Sequence, residues 1–212
     1  MAKEITIELS EEIINSYIER FKTAECLKEQ VLEDVFSHKT NNNLESVLKK
    51  VTLLNSFYST QLFNNSASNV GKKHQADIVS MARHIADEEE FDKWLSSDDW
   101  KENLKAVNYI AFDSSDHIQR DVIHASLSFA SKYCSWHYPE KYPIIDSISK
   151  GMLYYINRSK ELVEEKVTRD SLNNYKLFCD LFDALKHQLD DRYSVKELDM
   201  FLWQYGKDNN II

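Results

Sequence analysis

The sequence predicts an all-α protein, a compact domain of about nine to ten helices arranged as one body or as two lobes with a cleft. Glycine and proline are scarce, with three and two copies in 212 residues, far below ordinary usage. Hairpins and phosphate-binding loops consume glycine, and the wide spacing of the three glycines excludes a Walker loop and a dinucleotide-binding fingerprint. Apolar residues recur at steps of three and four, and 42% of residues are hydrophobic, enough for a substantial core.

Apolar stripes and polar caps mark the helices of the first half. Ser10 is a cap for a helix whose apolar stripe runs from Ile13 to Phe21, and a second apolar stretch continues through Leu27 and Val31 to Phe36. Asn43 is a cap for the next helix, which runs towards Phe57. Further helices are predicted around residues 78–85, 91–95 and 104–110. We expect one helical domain over residues 1–212, and the Asn- and Ser-rich loop at 64–73 is its boundary if it has two lobes.

The second half continues with helices at about 116–134, 146–157 and 171–189. Ser194 and Glu197 form a capping box that opens the last helix, and Gly206 is placed as the residue that stops it. Trp94, Trp100 and Trp203 fall on amphipathic stripes and are assigned to the core.

Charge and cysteine content bound the partners and the compartment. The net charge of −9 disfavours nonspecific binding of nucleic acid by the whole surface. Residues 117–160 nevertheless contain six Lys or Arg and three acids. Three widely spaced cysteines indicate buried thiols in a reducing compartment. No signal peptide or membrane-spanning run is visible, so we expect a cytoplasmic protein without membrane contact, and a monomer by default.

The most sharply marked segment is an aromatic turn that holds both prolines, Pro139 and Pro143, between two predicted helices. A proline cannot donate a backbone hydrogen bond and pushes the residue before it towards extended geometry. The chain must therefore leave one helix, cross the turn and enter the next helix with Asp146 near its first turn. A carboxylate presented beside aromatic rings at such a place is a candidate for chemistry.

The run Lys141-Tyr-Pro-Ile-Ile-Asp-Ser147 resembles the segment of helix-hairpin-helix DNA glycosylases in which an apolar run ends in Val-Asp-Thr-His-Val. The resemblance implies an enzyme that cleaves the N-glycosidic bond of a modified or damaged base flipped from duplex DNA, in repair or in defence against modified foreign DNA. Asp146 takes the place of the catalytic carboxylate. Lys132 lies near the place of the lysine that is the nucleophile in bifunctional members. No metal or organic cofactor is implied.

The chemistry of base excision suggests roles for further residues. Positive charge develops on the sugar, so a nearby carboxylate stabilises it or orients a water. The everted base needs aromatic faces and polar partners around it. The predicted base-binding residues are Trp136, His137, Tyr138, Tyr142, Asn55 and Tyr58, and the predicted contacts to the DNA backbone are Lys141, Ser147 and Lys150.

Each assignment has a structural alternative that the sequence leaves open. Asp146 can be an N-cap, Lys132 a solvated helical lysine, and the turn aromatics core rings that anchor the turn. Arg120 and His124 superficially resemble the Arg and His pair of helical HEPN ribonucleases, at a shorter spacing. The competing function is a non-catalytic helical module that binds a nucleotide or a protein and serves regulation.

Overall fold

The protein is all-α, as predicted. The computed structural model describes residues 7–58, 78–111 and 120–211, of which 120–126 by backbone alone. No strand occurs in these segments. Their nine α-helices are α1 (Glu11–Phe36), α2 (Leu44–Tyr58), α3 (Ile78–Ala86), α4 (Phe91–Ser96), α5 (Trp100–Ala111), α6 (Arg120–His137), α7 (Ser147–Lys160), α8 (Tyr175–Gln188) and α9 (Val195–Asp208). A 3₁₀ helix, Ser171–Asn173, precedes α8.

The chain divides into two compact units. The first unit combines Met1–Cys26 with Pro143–Ile212, and the second unit is the continuous stretch Leu27–Tyr142. Helix α1 contributes its first part to one unit and its last part to the other. The loop at 64–73, predicted as a lobe boundary, lies outside the described residues.

In the second unit, α2 packs against α3 and α6, and α5 packs against α3, α4 and α6. The apolar stripe of α2 faces this core through fully buried Val47, Val51 and Leu54. The capping prediction for this helix is confirmed, since the side chain of Asn43 accepts from the Ser46 amide at 2.9 Å. A local polar cap and a stripe at helical spacing therefore suffice to position α2.

In the first unit, α7 packs against α8 and α9. The predicted capping box of α9 is confirmed: Ser194 Oγ accepts from the Glu197 amide, and the Glu197 carboxylate accepts from the Ser194 amide. Gly206 does not stop the helix. It is buried inside α9, where a Cβ would lie 2.4 Å from Ile148 Cγ2 and 3.0 Å from Met152 Cγ of α7. The glycine is required because two helix backbones approach closely here, and not because the chain turns.

Several side chains assigned to the core or to buried thiols are exposed. Trp100, at the first position of α5, is 51% exposed. One helix, α1, covers both predicted apolar stretches, and Leu27 and Val31 of the second stretch are 79% and 42% exposed. Cys26 is exposed as well, whereas Cys134 is buried. Periodicity identifies the face of a helix, but it does not show where along that face the neighbouring elements end.

Helix α8 begins later than predicted. The side chain of Asn174 accepts from the amides of Lys176 and Leu177 and caps the helix there. The preceding three residues form the 3₁₀ helix, and the Asn174 amide donates to the Ser171 carbonyl at its end. An Asn that competes for backbone amides therefore overrides the apolar periodicity that begins at Ser171.

We predict that Gly206→Ala destabilises the first unit by about 1–2 kcal/mol. The added methyl group overpacks the α7–α9 contact, which outweighs the gain in helix propensity of less than ~1 kcal/mol. The measurement is urea unfolding of both proteins. Gly151→Ala is the matched control, because this helical glycine has its nearest side-chain neighbour at 3.3 Å, Ile211 Cγ2 near the chain end. Equal effects of the two substitutions would contradict the close-packing role of Gly206.

Candidate functional site

The aromatic turn connects α6 to α7 through a short irregular segment. Helix α6 ends at His137, the Tyr138 amide still bonds to the Cys134 carbonyl, and the Lys141 amide bonds to the Tyr138 carbonyl. Residues 142–145 have no regular secondary structure. The boundary between the two units falls between Tyr142 and Pro143.

In the first unit, Asp146 is the N-cap of α7. Its backbone is extended, with φ −147° and ψ −175°. Its Oδ1 accepts from the Ser149 amide at 2.9 Å, and Ser149 Oγ accepts from the Asp146 amide at 2.8 Å. This capping box holds the carboxylate in one orientation at the N-terminal end of α7.

A lysine lies one turn beyond the cap. Lys150 is half-buried and donates from Nζ to Asn173 Oδ1 at 2.6 Å. Burial lowers its pKa, while the charges of Asp146 and Asp170 act in the opposite direction. Ser147, the first residue of α7, is exposed. The start of α7 therefore presents a carboxylate, a hydroxyl and an amine on adjoining positions.

In the second unit, Lys132 is not a solvated lysine. Its side chain is 4% exposed, and Nζ donates to Ser128 Oγ at 2.7 Å. Nζ also lies 5.4 Å from the centre of the Tyr58 ring, and Trp136 Nε1 donates to Tyr58 Oη at 3.2 Å. The structure thus brings together three predicted site residues, Lys132, Trp136 and Tyr58. Asn55 is half-buried one helical turn before Tyr58.

The remaining aromatic residues of the turn differ in exposure. Tyr142 is fully buried, donates to the Leu95 carbonyl at 2.8 Å and accepts from Asn103 Nδ2 at 3.0 Å. Burial raises its pKa. Tyr138 is half-buried. Lys141 pairs with Asp98 at 2.6 Å and donates to two neighbouring carbonyls. Tyr142 and Lys141 therefore anchor the turn to the end of α4.

A buried polar cluster, which sequence reasoning missed, lies at the centre of the second unit. Its hub is Lys50, which is 0% exposed and donates to the Thr40 carbonyl at 3.0 Å and to Asn41 Oδ1 at 3.2 Å. Tyr133 donates to the same Asn41 oxygen, and the Asn41 side chain donates to Asp92 Oδ1 at 2.6 Å. The ammonium is thus linked to a carboxylate through an amide and not by direct contact.

Burial dominates the electrostatics of this cluster. It lowers the pKa of Lys50 to about 8, a shift that the charge of Asp92 opposes and that of Lys39 reinforces. Burial, together with the charges of Lys50 and Lys39, holds the pKa of His137 well below its usual range, so the imidazole is neutral. A lysine with a pKa of about 8 and a neutral histidine lie within one cluster, and strongly shifted pKa values also occur at functional sites.

His137 joins the cluster through its ring. Nε2 lies 3.4 Å from Lys50 Nζ, and the His137 carbonyl accepts from Lys39 Nζ. Because the ammonium is the donor, Nε2 is the acceptor and Nδ1 carries the proton. Nδ1 is buried and has no hydrogen-bond partner in the described part of the chain. The ring packs edge-on against Phe36, with the centroids 5.0 Å apart.

The sequence does contain a signal for this cluster. Lys50 falls on the apolar stripe of α2, three residues after Val47 and four before Leu54. A charged residue on a core-facing stripe needs buried partners. Asn41 lies in the polar turn before the same helix, so the two side chains are close in the chain as well as in space.

No helix among the described residues is both long and apolar enough to span a bilayer. Within the same ranges, no group of three or more His, Cys, Asp or Glu side chains is arranged to hold a metal ion.

Comparison with known proteins gives a family match. Residues 13–141 match the HI_0787_N family, which is described as an N-terminal domain. A protein of Haemophilus influenzae, named only as uncharacterized, is 29% identical over 178 residues, which is 84% of this chain and 71% of that protein. No solved structure matches the chain.

We predict that the stability conferred by Lys50 rises with pH. Between the folded pKa of about 8 and the ordinary value near ~10.4, the unfolded state binds more protons than the folded state. The free energy of unfolding of the natural protein should therefore increase relative to Lys50→Met, by about 2 kcal/mol from pH 7.5 to pH 10.

The measurement is urea unfolding of both proteins at the two pH values. Because both proteins contain the same buried tyrosines, the contribution of tyrosine titration is removed when the two free energies of unfolding are subtracted. Lys49→Met is the control, because Lys49 is exposed on the same helix and pairs with Glu45. A difference between the natural protein and Lys50→Met that stays constant or falls with pH would contradict the lowered pKa.

Proposed function

The chain belongs to the HI_0787_N family, and we propose that it is a DNA glycosylase-like enzyme of helix-hairpin-helix type with Asp146 as its essential carboxylate. The bond between C1′ of the deoxyribose and a modified or damaged base breaks, C1′ bonds to the oxygen of a water as a hydroxyl group, and a proton passes to the departing base, which leaves a free base and an abasic site. It serves repair or defence against modified foreign DNA.

The geometry of Asp146 supports the proposal. The capping box fixes the carboxylate, with Oδ1 accepting from the Ser149 amide at 2.9 Å. A fixed, ionised carboxylate stabilises the positive charge that develops on the sugar and accepts a proton from an attacking water. No reorganisation of the side chain is needed when that charge appears, and this is the main advantage of a preorganised group.

The start of α7 supplies groups that suit a phosphate backbone. The exposed hydroxyl of Ser147 is a hydrogen-bond donor, and Lys150 is a cation one turn away. Contacts from helix N-termini, hydroxyl groups and lysines position a protein on nucleic acid without reading its sequence. The stacking role of the turn aromatics stays a prediction.

The burial of other predicted site residues favours the competing function, a non-catalytic nucleotide- or protein-binding module. His137 and Tyr142 are 1% and 0% exposed, so their rings serve the core of the second unit. Trp136 and Tyr138 are half-buried and retain part of their surface for a ligand. Under this alternative, Asp146 acts only as a helix cap.

The substitution Asp146→Asn separates the two functions. Asn caps a helix about as well as Asp, so the fold is retained while the negative charge is lost. We expect excision to fall by at least ~10²-fold, the effect of removing a principal electrostatic contribution. The assay incubates the protein with genomic DNA and with phage DNA that carries modified bases, followed by alkali to cleave abasic sites.

Glu197→Gln is the matched control, because it makes the same change from acid to amide in the capping box of α9. It should leave strand cleavage unchanged. Cleavage that persists in Asp146→Asn, or DNA binding without any cleavage by the natural protein, would overturn the enzymatic proposal and support the binding module.

We further predict that borohydride traps no covalent adduct between the protein and substrate DNA. Lys132 Nζ is covered and held by Ser128 Oγ, so the amine is not presented to the sugar, and water is the nucleophile. An adduct that forms with the natural protein and disappears in Lys132→Met would show a bifunctional enzyme with Lys132 as nucleophile. Lys28→Met is the control for nonspecific trapping, because Lys28 lies over the same Tyr58 ring at 4.5 Å.

A further inference from the structure

The segment that leads to Asp146 is held by side chains and not by secondary structure. Pro143 has no amide hydrogen, and residues 142–145 lie in neither helix nor strand. Buried backbone groups in such a segment must find partners elsewhere. In the first unit, two side chains from the following helices provide them.

The first partner is Tyr175, the opening residue of α8. Its hydroxyl donates to the Pro143 carbonyl at 2.8 Å, and the side chain is 6% exposed. Its ring lies parallel to that of Phe178, with the centroids 6.3 Å apart. The donor is therefore packed among the aromatic residues of α8.

The second partner is Asp199 of α9. Both of its carboxylate oxygens accept from the Ile144 amide, each at 3.1 Å, and the residue is 8% exposed. Hydrogen bonds to an ionised acceptor are stronger than bonds between neutral groups. Burying a carboxylate on the apolar stripe of a helix is energetically unfavourable unless it is hydrogen-bonded, and the Ile144 amide provides such a hydrogen bond.

We propose that Asp199 and Tyr175 are positioning residues that fix the location of the Asp146 carboxylate. They clamp the backbone at Pro143 and Ile144, and the next residue, Ile145, is buried. The Asp146 amide then donates to Ser149 Oγ at 2.8 Å. Three consecutive contacts thus define the path of the backbone into the cap. The catalytic consequence rests on the proposed function, whereas the clamp itself does not.

The test measures amide hydrogen exchange and excision separately in Asp199→Ala, Asp199→Asn and Tyr175→Phe. Exchange at Ile144 and Asp146 should accelerate roughly ten- to a hundredfold in Asp199→Ala, the factor that corresponds to a hydrogen bond with a charged group. Asp199→Asn keeps one acceptor oxygen and should restore most of the protection. Tyr175→Phe removes only a hydroxyl and should have a smaller effect in the same direction.

Excision on the modified phage DNA should follow the same order. The single-turnover rate should fall about tenfold or more in Asp199→Ala, while the dissociation constant for the DNA stays unchanged, because a displaced carboxylate impairs chemistry and not binding. Asp208→Ala is the matched control, since it removes a carboxylate from the same helix, where Asp208 pairs with exposed Arg20.

The outcomes separate the two proposals. Exchange that is unchanged relative to Asp208→Ala overturns the clamp, and faster exchange with an unaltered excision rate overturns the positioning role. If the natural protein excises no base, the proposed function fails, and the exchange measurement alone decides whether the clamp holds the segment.

Discussion

The requirement that buried backbone groups find hydrogen-bond partners where helices end governs this structure. Two irregular segments among the described residues are held by buried side chains. Lys50 donates to the Thr40 carbonyl in the second unit. Asp199 accepts from the Ile144 amide in the first unit. Both side chains lie on helices whose other buried residues are mostly apolar. Each unit therefore contains a buried ionisable side chain that holds a connecting segment.

These hydrogen bonds restrain the two connecting segments. A buried charge that lost its partners would be left uncompensated, which is strongly unfavourable. The loop at Asn41 and the segment before Asp146 therefore cannot shift without exposing or orphaning Lys50 or Asp199. Rigidity of this kind suits a site that has to hold one carboxylate in place, and it equally suits a binding module with a fixed surface.

The helical class and several helix ends could be predicted from sequence because their causes are local. A cap such as Ser194 and its helix lie within one turn, so the pattern carries the whole interaction. The prediction that Gly206 ends α9 is wrong, because the sequence does not distinguish a glycine that ends a helix from one that allows a neighbouring helix to approach closely. Asp199 bonds an amide 55 residues away, and no local pattern encodes that partner. Lys50 was detectable as a charge on an apolar stripe, but its burial depends on tertiary packing. The cap geometry of Asp146 was foreseeable, whereas its chemistry depends on surroundings that periodicity does not specify.

Helix α1 is shared between the two compact units. The family match covers residues 13–141, yet the part of α1 up to Cys26 belongs to the same compact unit as Pro143–Ile212. There Phe21 packs edge-on against Trp203, with the ring centroids 5.6 Å apart. A polypeptide cut at the family boundaries would retain Phe21 but lose Trp203, which packs against it. The exposed apolar surface of α1 would then favour self-association. The family match and the compact units of this protein therefore have different boundaries.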